Sequence, residues 1–356
     1  MKNLKTKLTI CLTIAVLGAL TVTLLLTGCW NEQNLFLDVG PKWSPDGSKI
    51  AFVEPTYYKL ETNWGIIWVM NADGTNKIKL TGDNERLNYP AWSPDGSKIL
   101  YRSGPMYYSQ GNKGDICVMN SDGTNKINLT NNPSRYFSST WSPDGEKIMF
   151  LSMTKLGNFD IWIMNADGSN KVNLTNNKFN SPFTPAFSPD GAKIAFSSMN
   201  NKENFDIWTM NSDGSNQINL TNKQYSAGSP AWSPDGTKIA FSLIHPFDCD
   251  IGIMNDDGSN IVNFTNNPGG YSGFSWSPDG TKIAYTYLEK EKSDIWVINT
   301  DSSNKINLTN NIENDYSPAW SPDGSKIAYI TQNAADKIDI FIMNSDGSNK
   351  VKLTGD

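Results

Sequence analysis

From residue 40 onward the chain alternates short apolar runs with clusters of Asn, Asp, Gly, Ser and Pro. The runs are rich in β-branched and aromatic residues, as in Ile194-Ala195-Phe196 and Asp160-Ile161-Trp162-Ile163-Met164, and turn formers bound them, which predicts strands. In the second run Ile161 and Ile163 point one way, Trp162 and Met164 the other, so that strand needs neighbours above and below it.

The runs belong to a repeat. Ser-Pro-Asp-Gly starts at Ser44, Ser93, Ser142, Ser188, Ser233, Ser277 and Ser321, at spacings of 49, 49, 46, 45, 44 and 44 residues. A period in this range signals a repeat architecture. An aromatic precedes each copy (Trp43, Trp92, Trp141, Phe187, Trp232, Trp276, Trp320) and a Lys-Ile pair follows. A second turn motif, typified by Asn165-Ala166-Asp167-Gly168, recurs in every unit, and only the copy at Asn299 ends in Ser302 instead of Gly. Pro presets φ for the first turn, and Gly accepts positive φ in both. Each unit thus predicts four strands, the last ending at a Leu-Thr or Phe-Thr pair. Seven such sheets, apolar on both faces, describe an all-β, seven-bladed β-propeller of four-stranded antiparallel blades. The blades are expected to start near 40, 89, 138, 184, 229, 273 and 317. All seven are complete and in phase, leaving no strand to exchange across the closure except Leu35 to Leu37.

These units resemble the PD40, or TolB-like, repeats, which are WD40-like, across roughly residues 40–356. The resemblance implies a periplasmic or extracellular propeller used for protein–protein contact. TolB proper carries an α/β domain before a six-bladed ring and has no lipid, so its specific role in envelope integrity is not implied.

The N-terminus changes the picture of where the ring sits. Lys2, Lys5 and Lys7 precede the uncharged stretch Leu8 to Leu26, which runs into Thr27-Gly28-Cys29. That is the layout of a secretory signal. The cysteine after Leu-Thr-Gly resembles the lipobox of prokaryotic lipoproteins, in which the residue matching Cys29 is acylated and becomes the first of the mature chain. Residues 1–28 are therefore read as a lipoprotein signal peptide, 29–39 as a lipidated tether and 40–356 as the propeller, exported and held at a membrane. The competing reading is an uncleaved transmembrane anchor. With Cys11 in the signal and Cys29 carrying lipid, Cys117 and Cys249 remain, expected as free thiols.

The net charge of −6 becomes −9 once Lys2, Lys5 and Lys7 are set aside, which excludes nucleic acid as a partner. His245 is the only histidine and no Gly-x-Ser-x-Gly elbow occurs, so the chain is expected not to be an enzyme. Oligogalacturonate lyases have related rings, but that resemblance demands several histidine ligands. The Asn-x-Asp-Gly turns offer too few oxygen ligands for an EF-hand-type loop, so no metal and no cofactor is expected. Asn-Leu-Thr, as at Asn128 and Asn173, is read as strand pattern.

Both uniform turns fall on one face of the ring. The other face carries the second-to-third and blade-to-blade loops, where binding residues concentrate. Candidate ligand-binding aromatics in the blade-to-blade loops are Tyr89, Phe137, Phe183, Tyr225, Tyr271 and Tyr316, with Tyr57, Tyr58, Trp64, Tyr107, Tyr108 and Phe247 in the second-to-third loops. The competing reading is that these rings pack between blades. The expected function is a lipid-anchored envelope module that binds a protein or peptide. The alternative is a carbohydrate-binding or carbohydrate-active propeller.

Overall fold

The computed structural model describes residues 40–55, 65–82, 87–104, 114–131, 135–153, 157–199, 204–222, 226–245, 249–266, 270–289, 292–333, 335 and 337–355. The signal, Cys29 and the tether lie outside these residues. Among the described residues every regular element is a strand, and the strands form seven antiparallel four-stranded meanders in sequence order. A single bridge between Gly65 and Leu87 links the first two.

Blade 3 is representative. Its strands are Arg135–Trp141, Lys147–Met153, Phe159–Asn165 and Val172–Asn173. The second strand runs apolar on both sides, and Ile148, Met149 and Phe150 are all buried. That pattern fits because each sheet is covered by the neighbouring blade on either side. Met149, Leu151 and Ile161 of blade 3 pack with Ile194, Phe196 and Met210 of blade 4. Burying each such side chain contributes about 1.5–3 kcal/mol. The same interlock closes the ring, where Ile50, Phe52 and Ile67 of blade 1 share a cluster with Tyr316, Ile330 and Ile340 of blade 7. First strands of neighbouring blades meet each other and lie innermost.

The aromatic before each Ser-Pro-Asp-Gly has a directional role. Trp92, Trp141, Trp232 and Trp276 donate their indole N–H to the carbonyls of Lys42, Ala91, Ala186 and Ala231, one blade back, at 3.0–3.3 Å. Trp43 donates to Ala319 at 3.0 Å and carries this belt across the closure. Phe187 has no N–H to give. Beside the belt, a Cβ on Gly47 would meet Pro322 at 3.5 Å, so the turns of blades 1 and 7 nest against each other.

Fourth strands are only two residues long, shorter than the pattern suggests. Beyond them side chains take over the ladder. In blade 3 the Leu174 N–H reaches the Ile161 carbonyl at 2.9 Å, and the Thr175 hydroxyl accepts the Ile161 N–H at 3.0 Å. Thr175 donates in turn to buried Asp160 at 2.7 Å, and Asn173 Nδ2 donates to the same carboxylate at 2.9 Å. Asn-Leu-Thr is therefore a clamp on the third strand. The same Asp–Asn–Thr arrangement holds at Asp206, Asp250 and Asp294.

In the Ser-Pro-Asp-Gly turn, Asp46 accepts from Ser44 Oγ at 2.6 Å and from the Ser48 N–H at 3.0 Å. The Ser44 hydroxyl, foremost among these donors, holds the Asp46 carboxyl down at about 2. The second turn is alike, with Asp167 accepting from Ser169. Its glycine stands at positive φ (84° at Gly168), and a Cβ there would press on the Leu129 carbonyl at 2.9 Å. Ser302, at φ 68°, carries that strain. Ser302→Gly is expected to raise unfolding stability by about 0.5–1 kcal/mol, the relieved left-handed strain less the extra chain entropy of glycine. Urea denaturation checks this, and an unchanged or lowered midpoint would refute it.

Of the ring's two cysteines, Cys117 is a buried free thiol. Cys249 is buried as well, and among the described residues the expectation of a free thiol is met at Cys117 only.

Candidate functional site

The irregular face is built from the starts of first and third strands. In blades 3 and 4 both of these starts carry phenylalanine. Asn158-Phe159-Asp160-Ile161-Trp162 and Asn204-Phe205-Asp206-Ile207-Trp208 share one sequence in adjacent blades. Because Asp160 is pinned inward by Asn173 and Thr175, strand alternation turns Phe159 to the opposite side of the sheet. There it meets the first strands of its own blade and the next.

The result is a row. Phe137 and Phe159 stand edge to face at 5.0 Å, Phe159 and Phe183 are 5.2 Å apart, and Phe183 and Phe205 are 6.1 Å apart. All four rings are half-buried, so each keeps an exposed part. Edge-to-face pairs contribute about 0.5–1.5 kcal/mol beyond area burial. At one end the Arg102 guanidinium lies 5.1 Å from the Phe137 centroid. Arg102 is 2% exposed and is fixed by bonds to the carbonyls of Tyr136 at 2.6 Å and Gly104 at 2.9 Å. After Phe183, Thr184 adopts φ 47°, a rare conformation for a β-branched residue, at the bulge in that strand.

Of the aromatics expected to bind, the structure brings Phe137 and Phe183 into this row. Tyr271 and Tyr316 are each only 4% exposed and leave no ring for direct contact. Tyr271 is buried because it packs against Tyr285 and Tyr287, and Tyr316 because it belongs to the core that closes the ring. For these two the packing reading holds. Only the backbone of Tyr89 is described, and Tyr225 lies outside the described residues, as do Tyr57, Tyr58, Trp64, Tyr107, Tyr108 and Phe247. Sequence reasoning missed Phe159, Phe205 and Arg102, although the shared pentapeptide was a usable signal.

Two polar features lie in other blades, away from the row. His245 Nε2 lies 3.3 Å from Asp250 Oδ2. Asp315, fully buried where blade 7 meets blade 6, accepts from Thr331 Oγ1 at 2.7 Å and Asn311 Nδ2 at 2.8 Å. Burial, aided by the charge of Asp294, pushes its carboxyl up to about 6.

Residues 37–155 and 248–356 match the family described as PD40, the TolB beta propeller domain, which is well over half of the chain. This chain belongs to the TolB beta propeller domain family. Among solved structures, a TolB-type relative, the putative TolB from Agrobacterium tumefaciens, is 23% identical over 65% of this chain and 84% of its own, at a TM-score of 0.54. No curated protein matches the sequence.

The expectation that this PD40 propeller is not an enzyme is overturned by two other neighbours. Oligogalacturonate lyase from Vibrio parahaemolyticus is 13% identical over 85% of this chain and 84% of its own, at a TM-score of 0.61. A puromycin-hydrolyzing peptidase from Mycobacterium tuberculosis is 14% identical over 90% of this chain and 54% of its own, at 0.65. Enzymes therefore carry this ring, and having one histidine does not exclude catalysis.

Proposed function

We propose that this chain is an exported envelope propeller, held at a membrane by lipid on Cys29, that binds a protein or peptide partner on its irregular face. The observation that carries the reading is the half-exposed row Phe137–Phe159–Phe183–Phe205, spanning two blades next to a buried arginine. Aromatic anchors on a rigid scaffold are what interface hot spots are made of. Family membership supports the reading, since the propeller of TolB is the module matched. The acid excess of the ring favours a basic partner, with association slowed by salt.

The test is a pull-down from envelope extract with residues 30–356, beside a variant carrying Phe159→Leu, Phe183→Leu and Phe205→Leu. Leucine keeps the apolar filling while removing the flat rings. A partner retained by the parent chain and lost by the variant, with the two showing the same melting curve, is the expected result. Equal retention by both overturns the assignment of the face. Cys29→Ser is expected to release the protein from the membrane fraction, and its persistence there would remove lipid from the account.

A further inference from the structure

Blade 6 departs from the repeat at one position. In blades 2, 3, 4, 5 and 7 the second-strand residue opposite the third-strand aspartate is Ser103, Ser152, Ser198, Leu243 and Thr331. In blade 6 it is Tyr287, opposite Asp294. The same two strands run on until Glu289 pairs with Lys292, separated by only two residues, where every other blade has four or more between its second and third strands. This longer ribbon carries a bulky ring out along the irregular end of the blade.

A pocket of about 330 Å³ forms there. Tyr287 and Trp296 make an aromatic corner, their rings at 84° with centroids 5.6 Å apart. Lys305 stands over both rings, at 5.0 and 5.2 Å. The polar wall is set in advance, because Asp294 Oδ2 accepts from Asn307 Nδ2 at 2.9 Å and from Lys292 Nζ at 3.1 Å. Lys292 keeps further N–H donors for a ligand. Asn310 offers a side-chain amide with no hydrogen-bond partner among the described residues, and the Glu289 carboxylate completes the rim.

We infer that this pocket binds a neutral saccharide, N-acetylated amino sugars included. A pyranose has an apolar face of C–H groups and an edge of hydroxyls, each both donor and acceptor. The corner of Tyr287 and Trp296 matches the apolar face. An amide, a carboxylate and an ammonium, all within the volume of one or two sugar rings, match the edge. An apolar side chain from a peptide would leave this wall without partners, at a cost. The carboxylates of Glu289 and Asp294 are balanced by Lys292 and Lys305, so the site carries no net charge, which suits a neutral sugar better than a uronate. The site is separate from the phenylalanine row and goes beyond the protein-binding reading.

The test is a glycan array followed by titration calorimetry on residues 30–356, with neutral, N-acetylamino and uronate oligosaccharides as probes. Tyr287→Ser is the informative variant, because it restores the residue that blades 2, 3 and 4 carry and so should fold. Asn310→Ala is the second. The expected result is binding of neutral or N-acetylamino glycans, weakened tenfold or more by Tyr287→Ser when both proteins are titrated well below their melting temperatures. Absence of glycan binding, a preference for uronates, or equal affinity in Tyr287→Ser each overturns the inference. The phenylalanine-row variant should keep glycan binding, so failure of one assignment leaves the other standing.

Discussion

Replacing Asp160 by Ala is expected to destabilise the ring by about 3–5 kcal/mol, since removing one partner from a buried charged network leaves the others unpaired. The carboxylate is 2% exposed and accepts from Thr175 Oγ1, Asn173 Nδ2 and the Asn177 N–H, at 2.7, 2.9 and 2.8 Å. Thr175 is fully buried, so no water takes the place of the carboxylate beside its hydroxyl. Blade 1 shows how the loss is avoided when both sides change. There Ile66 occupies the aspartate position and Lys79 the asparagine position, while Thr81 still accepts the Ile67 N–H at 3.0 Å. Asp160→Ile combined with Asn173→Lys should therefore cost clearly less than Asp160→Ala, because it removes acceptor and donor together. Equilibrium unfolding in urea measures both. If the double variant were the less stable, the clamp would not be the source of the effect. Because Asp160 also orients Phe159, the single variant should weaken partner capture as well.

Raising the pH from about 4 to about 6 is expected to lower unfolding stability by about 2 kcal/mol through Asp315, out of about 3 kcal/mol over its whole titration. Its carboxyl titrates at about 6 in the fold against 3.8 in the unfolded chain. The folded state thus binds the proton more tightly, and the contribution is complete below about 4 and lost as the pH rises through about 6. Asp315→Asn removes the titration, so its stability should be flat across this window and exceed that of the parent at neutral pH. The turn aspartates act in the other direction and at lower pH. Asp46 and Asp95 are held at about 2, chiefly by the hydroxyls of Ser44 and Ser93, so their contribution is present above about 4 and lost on acidification below it. A stability profile that rises from pH 2 to 4 and falls from 4 to 6 carries both signatures. A parent profile with no fall in the upper window, or the same fall in Asp315→Asn, would remove Asp315 from the explanation.

The ring was legible in the sequence because its determinants are local and repeated. Each Ser-Pro-Asp-Gly is a turn by its own chemistry, and the two-sided apolar strand of Asp160 to Met164 can only be a covered one. The clamp was less visible, since Asn-Leu-Thr looks like any polar–apolar alternation until its partner is found. The signal lay in constant spacing, with the aspartate thirteen residues before the asparagine and fifteen before the threonine in every clamped blade. The site was legible only in part. Tyr316 and Phe137 both lie four residues before the tryptophan of their turn and pair with Ile330 and Leu151, yet one is sealed and the other is half open. What separates them is supplied from elsewhere, by the core that closes the ring around the tyrosine and by Arg102 and Phe159 around the phenylalanine. Such differences arise between strands and between blades, and no local pattern encodes them.

The seam between blades 7 and 1 is held by the Trp43 indole, the nested Gly47 and Pro322, and shared apolar packing, with each blade keeping its own four strands. Six seams have a peptide connection behind those contacts and this one does not, so it is where the circle should part first under load. The break can be moved. Joining the ends of the ring and cutting instead within 223–225 would leave every sheet intact, and the first seam to open would then lie between blades 4 and 5.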